Sequence, residues 1–285
     1  MGRITVNRPV TRFTVGDDAG VTRRPDALVA EEPLEIRLGG TPLAVTMRTP
    51  GDDVHLAHGF LLTEGVISGP EDVRAAMYCA GSVMDDDSGQ QRNTYNVLEL
   101  RLSDGVAPPV VDPTRNFYTT SSCGVCGKAS IEAIEQQTRW PVAADAVRLD
   151  PEVVVRLPEL LREGQRAFAR TGGLHAAGLF TADGTLLRIA EDVGRHNAVD
   201  KVIGWALLSG LLPARGCVLV VSGRASFELT QKALMAGIPA LAAVSAPSSL
   251  AVELAESAGM TLLGFVRSPS FNAYAGAERL GAERG

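Results

Sequence analysis

Cys217-Val-Leu-Val-Val221-Ser-Gly-Arg-Ala-Ser226 reads as a short apolar strand, a turn of small residues and the entrance to a helix. An apolar run of that length, closed by a glycine-containing turn, suits a strand buried on both faces. Outward from it the order repeats: helix Glu228–Ala236, strand Ala240–Ser245, helix Leu250–Ala258, strand Thr261–Val266. Strands and helices alternating at this length predict right-handed crossovers and a largely parallel sheet covered by helices. Ligands of such sheets usually bind beyond the carboxyl ends of the strands.

Upstream, Gly178 to Ile189 reads as a hairpin turning at Asp183-Gly184. Ala198, Val199, Val202, Ile203, Ala206 and Leu207 form an apolar stripe on one helical face. Pro151 to Arg170 and Ala129 to Gln137 are also expected to be helical. The first third has a different grain. Leu34–Leu38 and Leu43–Met47 read as strands joined at Gly39-Gly40, and Tyr95–Leu102 as a further strand. Asp53–Leu62 has apolar residues at helical spacing, with Asp52 at its cap position. Pro108, Pro109 and Pro113 mark a linker. The expected organisation is an α+β N-terminal domain over 25–114 and a larger α/β domain over 115–276.

The 285 residues are enough for a sizeable core, and 45% hydrophobic against 21% charged residues describe a globular chain. Twenty-seven basic against 33 acidic residues leave a net charge of −6, which argues against a nucleic-acid binder while allowing a local basic pocket. Polar and charged residues follow Met1 without an apolar core of a leader, and no apolar run reaches membrane-spanning length. The expected location is therefore the cytoplasm, where paired cysteines are more often catalytic or metal-binding than disulfide-bonded. Cys79 and Cys217 sit in apolar contexts and read as core residues.

The remaining two cysteines stand in Phe117-Tyr-Thr-Thr-Ser-Ser-Cys123-Gly-Val-Cys126-Gly-Lys128. A helix is expected to begin near Cys126, and its aligned N–H groups together with Lys128 would favour a thiolate. Gly124 and Gly127 leave room around both sulfurs for a bulky donor or acceptor. A zinc site needs further ligands, which no second CxxC or spaced histidine pair supplies. A thioredoxin-like redox pair would follow the first strand of a small domain rather than more than a hundred residues of other structure. Sulfur transfer, redox exchange and zinc binding all remain readings of the pair taken alone.

Five further blocks accompany the CxxC motif. They are Arg48-Thr-Pro-Gly-Asp-Asp53, Gly59-Phe-Leu-Leu-Thr-Glu-Gly65, Thr171-Gly-Gly-Leu-His175, Glu191-Asp-Val-Gly-Arg-His-Asn-Ala-Val-Asp-Lys201 and Ser222-Gly-Arg-Ala-Ser-Phe-Glu-Leu-Thr-Gln-Lys232. In this order, from Glu31 to Tyr274, the chain resembles the formate dehydrogenase accessory sulfurtransferase family, FdhD. The resemblance implies a cytidine deaminase-like three-layer C-terminal domain beside a smaller α+β N-terminal one. It also implies an activity: a cysteine desulfurase passes sulfur to the loop as a persulfide. The protein then delivers it to the molybdenum of a bis(molybdopterin guanine dinucleotide) cofactor, which formate dehydrogenase uses. Cys123 is the expected persulfide carrier, and Cys126 is expected to relay the sulfur or to release it by attack, since such exchange proceeds by thiolate attack on sulfur. The cofactor is a bound substrate, no metal of the protein's own is implied, and a homodimer is expected.

Two other functions compete with this one. Zinc-dependent deaminases carry H-x-E before P-C-x-x-C; here Ser122 precedes Cys123, and neither His55 nor His58 is followed by glutamate at that offset. A non-catalytic carrier of a guanine-containing cofactor differs from the leading reading only in dispensing with the thiols. For phosphate recognition the residues themselves suggest Ser222, Gly223 and Arg224, where a strand meets a helix N-terminus, although an ordinary strand-to-helix turn reads equally well. His196 stands at another helix start, and His175 follows Gly172-Gly173. The resemblance adds cofactor contacts at Phe265, Val266, Arg267, Ser268, Pro269 and Ser270.

Overall fold

The computed structural model describes residues 3–79, 82–84, 91–93, 95–106 and 138–281. The chain opens with a hairpin of β1 (Thr5–Thr14) and β2 (Gly20–Val29), exposed along most of its length. Sequence reading did not find it, because its arginines, threonines and valines bury no consistent face. A four-stranded sheet follows, from β3 (Glu32–Leu38), β4 (Thr41–Arg48), β5 (Val73–Tyr78) and β8 (Val97–Leu102), ordered β4-β3-β8-β5. Gly39 and Gly40 turn β3 into β4 at φ of 56° and 85°, a region open to glycine. Between β4 and β5 runs α1 (Asp53–Thr63), and β6 (Ser82–Met84) pairs with β7 (Gln91–Asn93).

Asp52 occupies the expected cap position of α1 but does not cap it. Its backbone is left-handed, at φ 57°, and its side chain makes no cap bond. The carboxylate instead meets His55 Nδ1 at 3.3 Å and accepts from the Arg188 guanidinium at 2.7 Å.

The stretch expected as one helix from Pro151 is three: α2 (Pro151–Val154), α3 (Leu157–Gly164) and α4 (Arg166–Thr171). Pro158 has no N–H to bond back to Val154, so it can stand only in a first turn, and the helix restarts there. Gln165 makes the second break, at φ −78° and ψ 76°. Then come β9 (His175–Thr181), β10 (Leu186–Asp192), α5 (Arg195–Leu208), β11 (Cys217–Val221), α6 (Phe227–Met235), β12 (Ala240–Ala243), α7 (Ser249–Ser257), β13 (Thr261–Arg267) and β14 (Ser270–Ala275). These strands form one sheet in the order β10-β9-β11-β12-β13-β14. It is parallel only among β11, β12 and β13; β9 runs antiparallel to both its neighbours and β14 to β13. The expected largely parallel sheet is thus mixed, because hairpins rather than crossovers supply its flanks.

Alternation along the strands builds two cores. Ala177, Leu179, Leu219, Val221, Leu241 and Leu262 pack towards α1, α5, α6 and α7. Ala176, Phe180, Val218, Val220, Ala242 and Leu263 pack towards Val154, Leu157 and Leu161 of α2 and α3. The first core continues through α1 into Leu34, Ile36, Leu98 and Leu100 of the four-stranded sheet. Helix α5 is therefore covered on both sides, and every residue from Asn197 to Leu207 is buried except Trp205. Its expected single apolar stripe is in fact a helix enclosed nearly all round. Cys217 lies in this core with its thiol pushed up by burial, whereas Cys79, also expected inside, is only half-buried at the end of β5. The linker prolines, the helix expected at Ala129–Gln137 and the boundary at 114/115 lie outside the described residues.

Candidate functional site

At the carboxyl ends of β11, β12 and β13 three turns lie side by side. Ser245 N–H donates to the Gly223 carbonyl at 3.3 Å, and Phe265 N–H donates to the Ser245 carbonyl at 3.2 Å. Ser248 N–H donates to the Ala225 carbonyl at 3.0 Å. The result is a ledge onto which the N-termini of α5 and α6 also open.

Most of the residues expected to bind the cofactor stand on this ledge. Arg224 is exposed beside the start of α6. Gly223 lies against His175, where an added Cβ would come within 3.7 Å of Nδ1. His196 is in the first turn of α5, with Nε2 at 3.9 Å from Glu228 Oε2. Its Nε2 is buried without a hydrogen-bond partner among the described residues, as are Arg195 Nε and Ser226 Oγ. Phe265 is held at φ 52°, which a bulky residue adopts only at a cost of about 1 kcal/mol or more, and the residue is 38% exposed. Arg267, Ser268, Pro269 and Ser270 make the exposed turn from β13 into β14.

Two expected residues also serve the fold. Val266 is fully buried against Leu263 and Phe180, so it has only backbone to offer a ligand. The Ser222 hydroxyl accepts from Ala176 N–H at 2.9 Å and extends the pairing of β11 with β9. Cys123 and Cys126 lie outside the described residues.

Beneath the ledge the sequence blocks meet as buried polar contacts. Asp192 accepts from Thr49 N–H, Gly194 N–H and Asn197 Nδ2 and pairs with Lys201 Nζ at 2.7 Å. Lys232 donates to Asp200 at 2.9 Å and to Thr63 at 2.8 Å. Burial pushes the Asp200 carboxyl up to about 6, against the pull of the Lys232 ammonium. Glu191 accepts from Ala167 and Phe168 N–H at 2.9 and 2.7 Å and so fixes the start of α4.

That helix forms one wall of a cavity of about 510 Å³ next to the ledge, within the usual range for small-molecule sites. Its lining includes Arg162, Gln165, Phe168, His175, Val193 and Ser222. Sequence reasoning found His175 and Ser222 but missed Arg162, Gln165 and Phe168, which stand in none of the motif blocks. Glu191 stands in a motif block, but nothing in that block betrays the α4 N–H groups it holds.

Burial lowers the His196 pKa to about 4, with the Arg195 and Lys232 cations adding to the effect. The imidazole is therefore neutral at physiological pH. As pH falls from 6.5 towards 4 the unfolded chain takes up this proton before the folded one, so stability present above 6.5 is lost across that window. In NMR titration the His196 ring is expected to show a midpoint near 4, rising when an anion settles on the ledge. A midpoint at the ordinary histidine value would contradict the enclosed geometry.

A family profile described as the FdhD/NarQ family matches residues 29–281. A Streptomyces coelicolor protein named sulfur carrier protein FdhD is 58% identical over 281 residues, 98% of this chain and 97% of that one. A protein of the same name from Mycobacterium tuberculosis is 55% identical over 280 residues, covering 98% and 100% of the two chains. Among solved structures, a protein described as a formate dehydrogenase accessory protein from Desulfotalea psychrophila superposes with a TM-score of 0.73 at 23% identity, covering 98% and 100%. At that identity the superposition speaks for the fold alone.

Proposed function

The chain belongs to the FdhD/NarQ family, and from that premise we propose that it is a sulfur carrier which loads a guanine-bearing molybdenum cofactor. The observation that carries the reading is the gathering of His196, Gly223, Arg224 and the Phe265–Ser270 turn on one sheet edge, in a chain whose relatives across 98% of its length are named sulfur carriers. Cys123 accepts sulfane sulfur from a cysteine desulfurase, and the molybdenum of bis(molybdopterin guanine dinucleotide) receives it before use by formate dehydrogenase. Cys126 attacks the inner sulfur of the Cys123 persulfide, so that a Cys123–Cys126 disulfide forms as sulfide leaves for the molybdenum, and a thiol reductant then reopens the disulfide. The three layers around the six-stranded sheet support a deaminase-like scaffold for this chemistry. The chain works in the cytoplasm as a homodimer, whose twofold suits a substrate with two related nucleotide ends.

On the ledge each group has a task. Arg224 and Arg267, both exposed, meet phosphate oxygens. Phe265 offers a ring face near the carboxyl end of β13, and the neutral His196 stands ready to donate or accept one hydrogen bond.

The test is mass spectrometry of the chain after incubation with a cysteine desulfurase and cysteine. One added sulfur, removable by reductant, is expected on the peptide spanning the motif, and fragment ions should place it on Cys123. No added sulfur, under conditions that load a known acceptor, would remove the reading.

A further inference from the structure

The hairpin of β1 and β2 leaves the body of the protein almost bare. Its base is held: Ala30 N–H donates to the Ile4 carbonyl at 2.8 Å, and β2 touches α4. Beyond the base, every residue from Thr11 to Pro25 is exposed. A two-stranded ribbon alone is marginally stable in water, so a covering partner is expected. The register says which side it covers. Pro9 pairs with Pro25 and Phe13 with Val21, with Thr11 and Arg23 between them, all on one face. Phe13 and Val21 are 71% and 63% exposed there. The opposite face carries Arg8, Arg12 and Arg24, which suit water. The edges are poor sites for strand addition. Two facing prolines cannot exchange N–H bonds, so their missing donors interrupt both outer edges at mid-ribbon. A partner therefore docks on the apolar face.

We propose that this face is a self-association surface on which the same hairpin of a second copy lies antiparallel, with Phe13 and Val21 at the centre. The order of charge along the ribbon selects that occupant. Asp17 and Asp18 stand at the tip, and Arg23 lies on the far side of the Phe13–Val21 pair from them. A twofold axis at Phe13–Val21 brings these apolar side chains of both copies together. It also sets the acidic tip of each ribbon over the Arg23–Pro25 stretch of the other. The contact is the same in both directions, as an isologous interface requires. Nucleic acid or an anionic lipid surface would meet the two tip aspartates and be repelled. The hairpin stands outside the residues matched by the family profile, 29–281, so this surface belongs to a part of the chain that the profile does not describe. The choice of a second copy rests on the homodimer of the proposed function; the face, the closed edges and the charge order do not.

The experiment is sedimentation equilibrium of the full chain and its variants. Phe13→Glu is expected to weaken the dimer about thirty-fold or more, the loss typical of a central aromatic anchor. Arg12→Gln, on the opposite face, should leave it unchanged. Arg23→Glu alone, and Asp17→Lys with Asp18→Lys, should each weaken it about ten-fold, because the twofold repeats every altered charge contact. Mixed in equal amounts, these two charge-reversed chains should recover the parent affinity as a heterodimer, since each tip again faces the opposite charge. Loss of folding cannot mimic that recovery. A monomeric parent chain, a dimer indifferent to Phe13→Glu, or a mixture no tighter than its components would overturn the assignment. Persulfide loading is measured on the same samples. No loading in any of them, with association as expected, would fault the sulfur-carrier reading alone. Normal loading in a monomeric parent would fault this surface alone.

Discussion

Gly204→Ala is expected to destabilise the protein by about 3 kcal/mol or more, the upper end for overpacking. Helices α1 and α5 cross with backbone against backbone. A Cβ at Gly204 would lie 2.7 Å from the His55 carbonyl carbon and from Gly59 N, and one at Gly59 would lie 2.7 Å from the Asp200 carbonyl carbon. No rotamer change relieves a clash with main chain, so the helices must separate. Separation would open the core between the two sheets, which α1 and α5 share with Leu34, Leu98 and Leu179. In thermal melts each single variant should fall by roughly 6–12 °C, and the double variant should fall by less than the sum because both act at one crossing. Gly20→Ala is the control. Its nearest non-neighbouring atom would be 4.0 Å away, and a change within about 0.5 kcal/mol is expected. A melt of Gly204→Ala indistinguishable from that of Gly20→Ala would refute the close crossing.

The second large effect is expected at Asp192. Its carboxylate is fully buried, accepts three N–H bonds and pairs with Lys201, which is itself 3% exposed. Asp192→Ala strands a buried ammonium whose remaining partners are the Thr49 and Glu191 carbonyls, at 2.9 and 3.5 Å. Removing one member of a buried pair costs about 3–5 kcal/mol. Lys201→Met should cost less, because Asp192 keeps the donors Thr49, Gly194 and Asn197. Asp192→Asn combined with Lys201→Met, which leaves no unpaired charge, should recover part of the loss of Asp192→Ala. Urea unfolding midpoints rank the three variants. Equal midpoints for Asp192→Ala and the double variant would show that the pair's charge is not what matters. The same carboxylate fixes Gly194 and Asn197 around the start of α5, so its loss should also broaden the His196 resonance used to follow the ledge.

The residues of the candidate site were legible to different degrees. Gly223, Arg224 and His196 belong to turns between a strand and a helix start, which local composition betrays, and the structure places all three on the ledge. The segment Phe265–Ser270 came from family resemblance. By pattern alone it was an exit turn, and β14 after it was not foreseen. Val266 shows the limit of carrying over a segment: in a strand every second side chain enters the core, and this one does. Gln165, Phe168 and Arg162 were invisible. A glutamine at the break between two short helices looks solvated until a sheet is laid against it.

By itself the sequence determined the periodic elements, because their signals lie within a few residues: the strand at Cys217–Val221, the helices after it, and the hairpin at Asp183-Gly184, where φ is 87° at the glycine. Tertiary structure decided what depends on distant chain. It enclosed α5 on both faces, made Gly59 and Gly204 indispensable, paired Asp192 with Lys201 and Lys232 with Asp200, and turned the flanks of the sheet antiparallel. It also brought Gln165 to a cavity whose other side is formed by His175 and Ser222. The reason is physical. A hydrogen-bonded turn or an amphipathic repeat is selected by its own neighbours, whereas a buried charge, a helix crossing or a cavity is defined only by what the rest of the chain packs against it.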